Sequence, residues 1–68
     1  MHAATLSGSQ RLQRVKDLLS DGKAYSTMQI IHMAKVAAVS AAVAELRANG
    51  LTISCERRLN RFYYTMVP

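Results

Sequence analysis

Between Thr27 and Asn49 the chain holds neither glycine nor proline, and this uninterrupted stretch decides what the rest can become. A helix advances about 100° per residue. On that count Val39, Val43 and Leu46 form one apolar stripe, and continuing it backwards places Ile30 and Met33 on roughly the opposite face. A single helix through the stretch would leave two large apolar side chains in water, in a chain of only 68 residues. A break around Ala34 to Val36 removes the conflict. It lets a short helix over Thr27 to Ala34 turn its own apolar face inward while a second helix runs on towards Asn49. The broken form is the predicted one.

The start and stop signals agree with it. Ser26 and Gln29 have capping-box spacing, and Tyr25 and Ile30 occupy the two positions of a hydrophobic staple. At the other end, Asn49-Gly50 reads as a helix stop, with Gly50 just past the end and Leu51 placed to contact Leu46 in a Schellman-type arrangement. Upstream, Ser9 offers an N-cap for a helix through Leu19. Its apolar positions Leu12, Val15, Leu18 and Leu19 lie on one side, outside which fall Arg11, Arg14 and Lys16. Ser20-Asp21-Gly22 closes that helix with turn residues. Residues Met1 to Gly8 show no period and read as a loose tail, with the domain running from Ser9 to Pro68.

Beyond Gly50 the period changes to two. Leu51, Ile53 and Cys55 alternate with Thr52, Ser54 and Glu56, which reads as a half-buried strand. Arg57-Arg58-Leu59-Asn60 reads as a hairpin connection, and Arg61 to Val67 as the returning strand with Phe62, Tyr64 and Met66 on its inner face.

Composition limits the function classes. Hydrophobic residues make up 50% of the chain and charged ones 19%, enough apolar side chain for a core and too little charge for disorder. A chain this short hides only about 60% of its unfolded surface, which leaves no room for a large internal substrate cavity. Nine Lys plus Arg against four Asp plus Glu give a net charge of +5, which favours polyanionic partners. The lone Cys55 has no disulfide partner and reads as a small buried or half-buried apolar residue. No secretory signal is legible, and Val36 to Ala44, broken by Ser40, falls far short of the ~20 apolar residues that span a bilayer. The expectation is a cytoplasmic protein with no membrane partner. Asp17, Asp21, Glu45 and Glu56 are scattered, His32 has no carboxylate or second ligand at helical spacing, and no phosphate-cradling loop occurs. Neither an enzyme nor a metal or cofactor site is expected.

Two stretches carry a family likeness: Ser-Thr-Met-Gln-Ile-Ile from Ser26, and Ala-Val-Ser-Ala-Ala-Val-Ala-Glu-Leu-Arg-Ala-Asn-Gly-Leu from Ala38, running on to Ile53. They resemble the small helix-turn-helix proteins of bacteriophages and prophages, whose recurring signature is Val/Leu-x-x-Leu-Arg-x-x-Gly leading into a strand. The likeness covers about Gln10 to Met66. It implies an α+β fold, a three-helix winged helix-turn-helix with a C-terminal two-stranded β-hairpin wing. It further implies double-stranded DNA as partner, a transcriptional or recombination role, the third helix in the major groove and the wing on backbone or minor groove.

On that basis the candidate DNA contacts are Arg57, Arg58 and Arg61 of the wing, whose guanidinium groups suit phosphate oxygens. Arg11 and Arg14 of the first helix would flank the duplex. Thr27 would meet a phosphate at the start of the second helix, and Lys35 would meet backbone. The third helix strains the likeness. Its outward face is expected to carry Ala37, Ala38, Ala41, Ala44, Glu45 and Ala48, with Ser40 on the flank. None is a bidentate base reader. Either Ala38, Ser40 and Ala41 sit close in the groove with modest discrimination, or the alanine face is a protein contact surface that binds a protein partner. The resemblance also implies a homodimer, two copies acting on paired half-sites. Among the aromatic residues Phe62, Tyr63 and Tyr64, Tyr63 alone is expected to be exposed for stacking.

Overall fold

The computed structural model describes residues 8–67, so the expected N-terminal tail, apart from Gly8, lies outside the described residues. Three helices and a three-stranded antiparallel sheet make up an α+β fold in the order α1 (Gln10–Leu19), β1 (Tyr25–Ser26), α2 (Thr27–Ala34), α3 (Val39–Ala48), β2 (Thr52–Arg58) and β3 (Arg61–Val67). Strand β3 is central, with β1 and β2 on its two sides. No single helix among the described residues is long and apolar enough to cross a membrane.

Local chemistry sets the helix ends where the sequence places them. The Ser9 hydroxyl accepts from the Leu12 N–H at 3.3 Å. Ser26 and Gln29 form the reciprocal capping box: the Gln29 N–H donates to Ser26 Oγ at 3.1 Å, and the Ser26 N–H donates to Gln29 Oε1 at 2.8 Å. Helix α3 ends in a full Schellman pair, Gly50 N–H to the Arg47 carbonyl at 3.0 Å and Leu51 N–H to the Leu46 carbonyl at 3.2 Å. Gly50 takes φ 94, which a side chain would resist.

The predicted break is present. Lys35 is left-handed at φ 57 and ψ 46, and the axes of α2 and α3 diverge by 83° across it. That turn brings Ile30 and Ala34 of α2 into the same core as Val39, Ala42, Val43 and Leu46 of α3. Leu12, Val15 and Leu19 of α1 close the core from one side, and Ile53 and Tyr64 from the sheet. Met33 departs from expectation, being 56% exposed. The buried arc of α2 runs through Ile30, Ala34 and half-buried Ile31, and at about 100° per residue Met33 lies on its outer side.

Other expectations about the strands need correction. The hairpin wing was expected to have two strands, yet Tyr25 and Ser26 pair with Tyr64 and Tyr63 to make a third. Two residues are too few to carry a period, and their role in starting α2 masks their extended backbone. The connection is Leu59-Asn60 alone, since Arg57 and Arg58 are ladder residues paired with Phe62 and Arg61. Cys55 and Phe62 are exposed, not buried. Both share a sheet face with Ile53 and Tyr64, but the packed core stops at those two residues, and Phe62 is left lining a surface cleft with Thr27 and Met28 of α2.

Replacing Leu46, fully buried, by alanine is expected to destabilise the fold by about 2–5 kcal/mol in urea unfolding. Met33→Ala should change it by no more than about 0.5 kcal/mol. A loss at Met33 as large as that at Leu46 would contradict the outward placement of that side chain.

Candidate functional site

Strand register sorts the hairpin arginines, because directly opposed residues share a sheet face. Arg58 and Arg61 face one another on one side, together with Glu56 and Tyr63. Arg57 stands opposite Phe62 on the other side, the one that continues the core face. The three arginines, gathered within five positions of the sequence, are therefore divided between two faces of one ribbon.

Their chemical states differ as well. The Arg58 guanidinium donates to both carboxylate oxygens of Glu56, at 3.0 and 3.2 Å, and lies 5.4 Å from the Tyr63 ring centroid. Those hydrogen bonds hold the Glu56 carboxyl below its ordinary range and raise the Arg58 pKa. Because the carboxyl pKa is lowered in the fold, the contribution of this pair is present above the ordinary carboxylate range and is lost as pH falls through the lowered value. Arg57 and Arg61 are exposed, and among the described residues their side chains make no hydrogen bond or ion pair. Arg58 and Arg61 place like charges directly across the ladder, an arrangement that an anion relieves.

A cleft of about 390 Å³ joins this hairpin to the start of α2, lined by Ser26, Thr27, Met28, Asn60, Arg61 and Phe62. The structure thus brings Thr27 and Arg61 together, although they are far apart in sequence. Lys35 is exposed at the bend, Ala38 is the N-cap residue of α3 with exposed Ala37 just before it, and Ser40, Ala41 and Ala44 are exposed on that helix. Glu45, expected on the same outward face, turns aside to α1.

Arg11 and Arg14 are occupied within the molecule. Arg11 forms an ion pair with Glu45, binding α1 to α3. Arg14 Nε donates to the Ala34 carbonyl at 2.8 Å, and its Nη2 donates to the Lys35 carbonyl at 3.5 Å. These are the orphan acceptors that a helix end leaves open. Arg47 does similar work between α3 and β2, with Nε and Nη2 both donating to the Ile53 carbonyl at 3.0 and 2.6 Å. Nothing in the charge pattern separates such attachments from surface arginines. The one available signal is position, since Arg11 stands beside the apolar stripe of α1, four residues before Val15.

Among the described residues no group of three or more His, Cys, Asp or Glu side chains could hold a metal ion. Comparisons of this chain with protein-family models, with curated proteins and with solved structures find no match.

Glu56→Gln should release Arg58 and make the protein elute from a heparin column at higher salt. Asp17→Asn, the same charge change on exposed α1 surface, serves as the control. Equal elution of the two variants would show that the Glu56 pairing does not restrain Arg58.

Proposed function

We propose that this chain is a winged helix-turn-helix protein that binds duplex DNA, a phage-type or bacterial regulator of transcription or recombination. One arrangement carries the reading: a basic hairpin with two unpartnered arginines stands beside a pair of short helices whose axes cross at 83°. In helix-turn-helix units two helices meet at about 90–120° across a short turn, a range the 83° here falls just below, and the second enters the major groove.

In this reading α3 lies along the groove with its exposed face of Ala38, Ser40 and Ala41 towards the bases. Alanine methyls can meet thymine methyls and the Ser40 hydroxyl either a base or a phosphate, so discrimination by direct readout is limited. Attachment comes chiefly from phosphates. Arg57 and Arg61 supply free guanidinium groups at the hairpin, Lys35 stands at the bend and Thr27 beside Arg61. Arg58 contributes less while Glu56 holds it. Arg11 and Arg14 act mainly by fixing α1 against the helix pair, and add only their charge to the local field.

A second reading is favoured by one observation. The exposed face of α3 is almost bare of side chains that read bases, and Ala37, Ala38, Ala41 and Ala44 would allow close approach of another protein or a second copy of this chain.

Gel-shift titrations of a duplex at about 50 and 200 mM salt separate the two readings. DNA binding by phosphate contacts predicts a steep loss of affinity across that range. Arg57→Ala with Arg61→Ala should flatten the log–log slope by about two. Absence of any shift at the lower salt would support the protein-contact reading instead.

A further inference from the structure

Leu59 is the most anomalous residue of the hairpin. It is the first of only two residues connecting β2 to β3, and its side chain is 96% exposed. Its backbone is also left-handed, at φ 56. Glycine and asparagine take that conformation readily, whereas a bulky side chain there is an outlier. Asn60 occupies the neighbouring position, so the turn holds a residue suited to the strain and places it one step away from where the strain falls. Leucine at this site opposes both backbone preference and solvation, and no protein group covers it.

The groups around it define what would. Arg58 and Arg61 form the ladder pair that closes the turn, Arg57 flanks them, and Asn60 supplies an amide. An apolar tip between cations calls for a partner that presents anions on both sides of an apolar slot. The minor groove of duplex DNA has that construction: phosphates line its rims, and the stacked faces of the base pairs lie beneath its floor. Adjacent strands of a hairpin stand about 4.8 Å apart axis to axis, so with its atoms the ribbon is wider than the minor groove of about 6 Å. Only the two-residue tip enters, and it does so by forcing the groove wider. Arginine is drawn to that groove by its potential, and Asn60 can read the acceptors of A·T pairs there.

We propose that the hairpin tip enters the minor groove and that Leu59 wedges between two adjacent base pairs, kinking the duplex towards its major groove. This rests on the duplex-binding reading and assigns the protein an architectural action within it. Leucine side chains can serve as such wedges, and pyrimidine–purine steps are the easiest to open. The retained strain at φ 56 follows: asparagine or glycine would relax the turn, but neither offers an apolar surface to the gap.

The test uses the full 68-residue chain and an end-labelled duplex with a central TA step flanked by A·T pairs, carrying 2-aminopurine at that step. Bending is read by energy transfer between the ends, and unstacking by 2-aminopurine fluorescence. The wild-type chain should bend the duplex by roughly 20–90° and raise the fluorescence. Leu59→Asn and Leu59→Gly, which suit the left-handed backbone, should melt no lower than wild type and keep the salt slope of binding. Both should return the bend and the fluorescence to free-duplex values, while Leu59→Phe should retain them. Salt-dependent binding of an unbent duplex by the wild type would overturn the wedge and leave the duplex-binding reading intact. Full bending by Leu59→Asn would do the same. Absence of salt-dependent duplex binding would overturn both.

Discussion

The left-handed turn at Lys35 and its attachment to α1 hold the rest of the structure in place. A helix that ends leaves its last carbonyls without partners. Here Arg14, reaching across from α1, donates to the carbonyls of Ala34 and Lys35. One side chain thereby closes the end of α2 and binds α1 to the bend. The 83° change of axis that follows lets Ile30 on one helix and Leu46 on the next share a single core. A continuous helix would have buried one and stranded the other. Arg11 with Glu45 and Arg47 with the Ile53 carbonyl repeat the device at the other junctions, so that each helix is held by an arginine as well as by apolar packing.

This division of labour changes the meaning of the net charge of +5. Four of the arginines, Arg11, Arg14, Arg47 and Arg58, are engaged with acceptors of the fold itself. The guanidinium groups left available to an outside anion are concentrated at the hairpin, on both faces of one narrow ribbon. The helix beside that ribbon offers methyl groups and one hydroxyl. In the proposed duplex-binding role, a surface of this kind would favour attachment by phosphate contact and by shape over readout of individual bases.

What the sequence made legible was local. Ser26 with Gln29, Ser9, and Asn49-Gly50-Leu51 each satisfy backbone groups within a few residues, and all act where they were expected. The break was legible because two apolar stripes could not share one axis. The long-range features were not. Strand β1 exists only through its pairing with β3, and the arginine attachments become visible only when the elements meet. Cys55 and Phe62 follow the alternation of their strands, but alternation cannot tell where the covering helices end. At the candidate site the cluster of Arg57, Arg58 and Arg61 was plain, while its division between two faces needed the register. Leu59 passed as an ordinary connection residue because its anomaly lies in its backbone angle.

A map of amide and arginine Nε–H resonances during titration with duplex DNA tests the central proposal most directly: the hairpin and the bend meet the duplex, while the framework arginines stay engaged with the fold's own acceptors. The account predicts shifts at Lys35, Ala38 to Ala41 and Arg57 to Tyr63, with the Nε–H signals of Arg14 and Arg47 unmoved. Shifts centred on Arg11, Arg14 and Arg47 with the hairpin silent would contradict it.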